Sequence, residues 1–190
     1  AGGITYTGVL GAGFAPCRAT TDLADAVGDA AAVIVCLPAL VHQALATALA
    51  GHLRPDPPVV LDPGGLLGAV AFGHHLRAAG QRGPLSLGET GTLSYICRKS
   101  GPAAVAVTSV ARDLAFAALP GSATAGLLAS VAPLLPGLVA VEDTLAAGLT
   151  SINTVLHPPA MILAAAWIER TGGDFFYYAD TAVPSVGRLM

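Results

Sequence analysis

The run Ala31–Leu37 (AAVIVCL) constrains the fold of this chain more than any other feature. It is apolar throughout, has the length of a strand, and is stopped by Pro38. A strand without polar alternation is expected to lie buried on both faces of a parallel sheet. Leu40–Leu53 then reads as a helix, closed by Pro55–Pro58. Val59–Asp62 repeats the pattern as a shorter buried strand, followed by a Pro63–Gly64–Gly65 turn and a helix to about Ala79. Buried strands alternating with helices predict right-handed crossovers and an α/β, doubly wound parallel sheet.

The flanks extend this frame. Gly3–Val9 reads as a strand, Gly11–Gly13 as a turn and Phe14–Ala19 as the return strand. Thr20–Thr21–Asp22 is an N-cap signal, so Asp22–Val27 is predicted as a short helix. Leu85–Glu89, Leu93–Arg98 and Ala103–Thr108 read as short strands, Ser122–Leu135 as a helix and Leu138–Val141 as one more strand. From Asp143 the pattern turns helical: Thr144–Leu156, then Pro158–Arg170 with proline in its first turn. Asp180–Met190 reads as the start of a further helix. Two domains are therefore expected, an α/β domain over 1–142 and the beginning of an all-helical domain over 143–190.

Composition excludes several classes. The chain is 54% hydrophobic and only 11% charged, against roughly 25% charged in an average soluble domain. A net charge of −3 with nine Lys and Arg together argues against a nucleic-acid surface. Three scattered cysteines (Cys17, Cys36, Cys97) make neither a disulfide framework nor a zinc site, and fit a reducing, cytoplasmic setting. His52, His74 and His75 have no carboxylate at metal-ligand spacing, so no metal is expected. Ala30–Leu53, Leu114–Val141 and Thr144–Ile168 are free of charged residues and long enough to span a bilayer. Each is interrupted by proline, and the latter two are rich in Ala and Gly, so no membrane partner is expected.

Few polar residues remain as site candidates. Gly11–Ala12–Gly13–Phe14–Ala15–Pro16 has the outline of a phosphate-binding loop, but no helical period begins before Leu23, and a hairpin turn explains the glycines better. In open α/β sheets ligands sit beyond the carboxyl ends of strands. Leu37–Pro38–Ala39 and Pro63–Gly64 occupy such ends, and both also suit ordinary strand-to-helix turns. His42 falls in the first turn of its helix. Glu89–Thr90–Gly91–Thr92–Leu93–Ser94–Tyr95–Ile96–Cys97–Arg98 gathers a carboxylate, hydroxyls and a guanidinium, and Arg98 has the fork that clamps carboxylates. Asn153 and His157, four apart, share a helix face, and His157 is expected at the boundary between two helices. A histidine in an apolar setting suits general acid/base chemistry, and a satisfied core histidine is the competing reading.

Together these segments resemble the opine dehydrogenases, the octopine/nopaline dehydrogenase family. The resemblance rests on Thr20–Thr21–Asp22–Leu23, Leu37–Pro38–Ala39 with His42, Glu89 to Arg98 followed by Gly101–Pro102, and Asn153 to Pro159. It implies a Rossmann-like domain for NAD or NADP, here lacking its first βα unit, followed by the opening helices of a helical domain. It implies reductive condensation of an amino acid with an α-keto acid such as pyruvate. His157 would be the catalytic acid/base, with Glu89, Thr90, Asn153 and Arg98 on the substrate side. Leu37, Pro38, Ala39, His42, Pro63 and Gly64 would lie at the cofactor. The implied partners are small-molecule substrates, with a homodimer as the assembly left open. The chain is expected to be incomplete at both ends. Two other readings stay open. One is a related reductase of the ketopantoate-reductase or glycerol-3-phosphate-dehydrogenase type. The other is a cofactor-incompetent remnant serving as a binding or oligomerisation module.

Overall fold

The computed structural model describes residues 2–188. Its residues fall into two compact units, Ala1–Thr150 and Ser151–Met190.

The first unit opens with a hairpin, β1 (Gly3–Gly8) and β2 (Gly13–Pro16), paired antiparallel. The turn between them places Gly8 and Gly11 at φ 110° and 86°, left-handed values that glycine adopts freely. The hairpin reading of the glycine-rich segment therefore holds. Asp22 caps the short helix α1 (Leu23–Val27), its carboxylate accepting the N–H groups of Ala24 and Asp25. Next come β3 (Val33–Val35), α2 (His42–Leu49), β4 (Val59–Leu61) and α3 (Gly68–Ala78). β5 (Leu87–Thr90) follows, then the long strands β6 (Tyr95–Gly101) and β7 (Ala104–Val110). The unit ends with β8 (Leu114–Leu119), α4 (Thr124–Val131), β9 (Leu138–Ala140) and α5 (Thr144–Leu149).

Two sheets result. One has the order β2-β1-β7-β6, and the other, the doubly wound sheet, has the order β3-β4-β5-β8-β9. β3, β4 and β5 run parallel, as expected for a Rossmann-like sheet, while β8 pairs antiparallel with β5 and parallel with β9. Val35, Val59, Leu61 and Leu87 pack against Ala46, Leu49, Phe72 and Leu76 of α2 and α3. Val60, Phe116 and Ala118 pack against Leu127 and Val131 of α4. The sheet is thus covered on both faces, which is what continuous apolar strands require.

Three expectations are corrected here. β3 is an edge strand in which only Val35 is buried, so the run that announced the fold is less enclosed than β4, all of whose residues are buried. β8 was not legible as a strand. Its sequence, Leu-Ala-Phe-Ala-Ala-Leu, holds no β-branched residue, and its central place in the sheet decides its state. The helix expected over Thr144–Leu156 ends at Leu149, and α5 packs on β5 and β8 of the first unit.

The second unit consists of α6 (Ile152–Thr171), α7 (Tyr177–Asp180) and α8 (Pro184–Gly187). Pro158 and Pro159 lie inside α6 rather than at a helix start. They supply no N–H, which leaves the carbonyls of Thr154 and Val155 without their usual helical donors. Gly172 stops α6 in the left-handed conformation, φ 63°. The helix expected over Asp180–Met190 is instead the short α8, and residues 189–190 lie outside the described residues.

Candidate active site

The carboxyl ends of the parallel strands β3 and β4 lie side by side, because Val35 and Leu61 are in register. Beyond β3, Leu37, Pro38 and Ala39 are exposed. Beyond β4, Pro63 and Gly65 are partly accessible while Gly64 is buried. Gly65 sits at φ 77° with open space where a side chain would be. A bare backbone beyond two adjacent strand ends suits the close approach of a nucleotide, so the residues present fit the implied cofactor.

His42 does not belong to that accessible edge. It is 5% exposed, its Nε2 lies 2.9 Å from the Leu37 carbonyl oxygen, and its ring meets Phe72 edge-on at 6.0 Å. Its side chain is a core histidine that ties the Leu37 carbonyl to α2. It packs inward because the chain enters α2 through a turn of 3-10 helix at Ala39–Val41.

Glu89 and Thr90 are enclosed as well. Both are fully buried on β5, so neither presents its side chain to a ligand here. Thr90 Oγ1 donates to Asp62 Oδ1 at 2.9 Å, and the same oxygen accepts the Ser94 N–H at 2.9 Å. Asp62, itself 3% exposed, so anchors both ends of the Thr90–Ser94 loop to the end of β4. The sequence places Asp62 at the end of its strand and gives it no role. Its signal was a lone carboxylate closing an apolar strand, a position that demands a partner. Glu89 Oε2 accepts the N–H of Ala69 at the start of α3. Burial pushes its carboxyl up to about 7, against the lowering effect of the N–H groups of Ala69, Gly68 and Leu67.

Arg98 is exposed on β6, its guanidinium donating to the Cys97 carbonyl oxygen at 2.9 Å. Lys99 beside it is exposed as well. Among the described residues no group of three His, Cys, Asp or Glu side chains is placed to hold a metal ion. No helix is long and apolar enough to cross a membrane, again among the described residues.

In the second unit Asn153 and His157 both lie in α6, one above the other at helical spacing. The expected helix boundary at His157 is corrected: the residue is inside the helix, half-buried. Its ring meets Tyr177 at 4.5 Å and Tyr178 at 6.2 Å, both edge-on. Tyr177 is itself tethered, donating its hydroxyl to the Leu156 carbonyl oxygen at 2.8 Å. Nothing in the sequence alone linked the aromatic cluster at Phe175–Tyr178 to His157.

The parallel-stranded edge is followed in sequence by a helical unit whose His157 lies against aromatic rings. Residues 140–190 match the family model "NAD/NADP octopine/nopaline dehydrogenase, alpha-helical domain". Over 170 residues the chain is 35% identical to an opine dehydrogenase of Arthrobacter sp. (strain 1C), covering 90% of this chain and 47% of that protein. It also superposes on an octopine dehydrogenase in complex with NADH and agmatine, with a TM-score of 0.68 at 21% identity, over 88% of this chain and 44% of that one. A 2-dehydropantoate 2-reductase from Geobacter metallireducens GS-15 gives a TM-score of 0.61 at 12% identity, over 87% of this chain and 53% of that one. The two structural likenesses establish the Rossmann-like fold. The sequence matches make the chain a relative of the opine dehydrogenases, with residues 140–190 matching the family's helical domain. It spans about half the length of the relatives it matches.

Proposed function

We propose that this chain belongs to an NAD(P)H-dependent enzyme of the opine dehydrogenase type, condensing an amino acid with an α-keto acid such as pyruvate. The observation that supports it most is the pairing of Asn153 and His157 on α6, inside the segment that matches the family's helical domain. The exposed turn Leu37–Pro38–Ala39 and the partly accessible turn Pro63–Gly64–Gly65 would hold the cofactor through backbone groups. When bound, it supplies a hydride equivalent.

The chain's own residues have a proton problem to solve. An amino acid reaches the site as an ammonium, which is no nucleophile. Neutral His157 takes one proton from it, and the freed amine adds to the keto carbon. The resulting carbinolamine must lose its hydroxyl as water to give the iminium ion. The imidazolium returns its proton to that leaving oxygen, so one group serves as base and then as acid. Asn153, one helical turn earlier, carries both a donor and an acceptor to orient the substrate. Arg98 is the exposed cation of the Glu89–Arg98 motif, suited to a substrate carboxylate.

The test is a three-component assay. NADH or NADPH oxidation is expected only when an amino acid and a keto acid are both present. Oxidation with the keto acid alone would replace this reading by the ketopantoate-reductase type, which the Geobacter likeness keeps in view.

A further inference from the structure

α3 begins without a capping side chain of its own. Leu67 holds the cap position, in the left-handed conformation at φ 59°, and has no polar atom to offer. The cap comes instead from another strand: Glu89 of β5, in register with Leu61 of β4 and Ala117 of β8, accepts the Ala69 N–H through Oε2. The backbone of the preceding turn rests on the same carboxyl. A Cβ on Gly64 would come within 2.5 Å of both Cβ and Oε2 of Glu89. The arrangement is expensive. The carboxyl is completely buried, and Oε1 finds no hydrogen-bond partner among the described residues. A Ser or Asp at position 67 would cap the helix alone without burying a carboxyl. What a local cap would not do is bind the turn and the helix start to the sheet.

We propose that Glu89 is a positioning residue for the nucleotide cofactor, fixing the Pro63–Gly64–Gly65 turn and the first turn of α3 against β5. The inference rests on the reading of that turn as a cofactor contact. It replaces the substrate contact that family resemblance implied for Glu89.

The experiment compares wild type, Glu89→Ala, Glu89→Gln and Gly64→Ala. It reads dissociation constants for NADH and NADPH by fluorescence titration, together with the KM for the amino acid. Glu89→Ala is expected to weaken both cofactors by about tenfold or more, the effect of losing a charge-assisted buried bond. The amino-acid KM stays within about twofold, because only the cofactor turn is loosened. Glu89→Gln keeps an acceptor for the Ala69 N–H and restores cofactor affinity to within about threefold. Gly64→Ala presses a methyl group onto the carboxyl and weakens the cofactor as Glu89→Ala does, which keeps the proposal testable should the Glu89→Ala protein not fold. A loss confined to the amino-acid KM overturns the proposal, and so does unchanged cofactor affinity in Gly64→Ala and Glu89→Ala. Hydrogen exchange in wild type separates the two layers of the argument. If saturating NADH leaves the amides of 64–66 unprotected, the cofactor reading of the turn fails and the proposal with it. If it protects them while Glu89→Ala binds NADH as wild type does, the Glu89 assignment alone falls.

Discussion

Glu89 and His157, one titratable side chain from each unit, are housed in opposite ways. Glu89 is sealed in the sheet unit, where Asp62, Thr90 and the Ser94 N–H also bond to one another inside the core. His157 stands half-buried on a helix where Ile152, Val155, Ile162 and Trp167 are more than half exposed. In the first unit polar side chains are spent on fixing backbone. In the second, Thr154, Thr171 and Tyr177 also bond backbone, but the His157 ring stays partly accessible. A turn that binds through backbone groups needs a rigid position, whereas a proton-transferring imidazole needs access. Substitutions in the two regions should therefore fail differently, one set in stability or cofactor affinity and the other in turnover.

The largest effect is expected at His157. His157→Ala should lower turnover by roughly 10²–10⁴, the usual contribution of a general acid/base. Its melting temperature should stay near that of wild type, because the ring is only half-buried. Turnover within a few-fold of wild type would remove His157 from the chemistry and leave the two regions alike. Asp62→Ala tests the other side. It strips the Thr90 hydroxyl and the Ser94 N–H of their shared acceptor inside the core, a loss of about 3 kcal/mol. Denaturant titration should show that loss directly, and an unchanged midpoint would mean the buried network is not what stiffens this unit.

The pH dependence of stability sharpens the contrast further. The Glu89 carboxyl is raised from its ordinary value of 4.5 to about 7. Below the ordinary value both folded and unfolded chains hold the proton, and the folded state bears no penalty. Between these two values only the folded chain keeps it, so this group's contribution to stability falls as pH rises. Above about 7 the buried carboxylate is charged and the penalty is complete. Melting curves from acid to neutral pH should show wild type losing ground to Glu89→Gln as pH rises. A parallel course for the two proteins would place Glu89 in a more hydrated site than the structure gives it.

The sequence made the first of these regions legible only in outline. Apolar runs ended by Pro38 and by Asp62–Pro63 exposed β3, β4 and the turns beyond them, because burial and turn chemistry are local signals. β8 escaped because a strand of Ala, Leu and Phe at the sheet centre has no periodicity to betray it. The burial of Glu89, Thr90 and His42 was not legible, for one reason. Rare polar residues in an apolar chain were read as facing a ligand, whereas each is consumed by a partner distant in sequence or by the turn it supports. Asp62 with Ser94, 32 residues apart, illustrates contacts that spacing alone does not encode. In the second unit the shared face of Asn153 and His157 was legible from their four-residue interval. The helix boundary was not, because Pro158 and Pro159 suggested a start where the structure carries one helix through.

The smallest expected effect bears on how free His157 really is. Tyr177 meets the imidazole edge-on and is anchored by its hydroxyl to the carbonyl of Leu156, the residue just before it. The tether and the ring contact are separable. Tyr177→Phe keeps the ring against His157 and removes only one partly exposed hydrogen bond, a loss of about 1 kcal/mol. If the ring contact alone orients the imidazole, turnover in Tyr177→Phe stays close to wild type while the melting temperature drops by a few degrees. Tyr177→Leu removes the aromatic edge as well, an interaction of about 0.5–1.5 kcal/mol, and should lower turnover by several-fold with little change in KM. Equal turnover in the two variants would mean the hydroxyl tether, not the ring, holds His157. The second unit would then resemble the first after all, with its working side chain placed by a bond to the backbone.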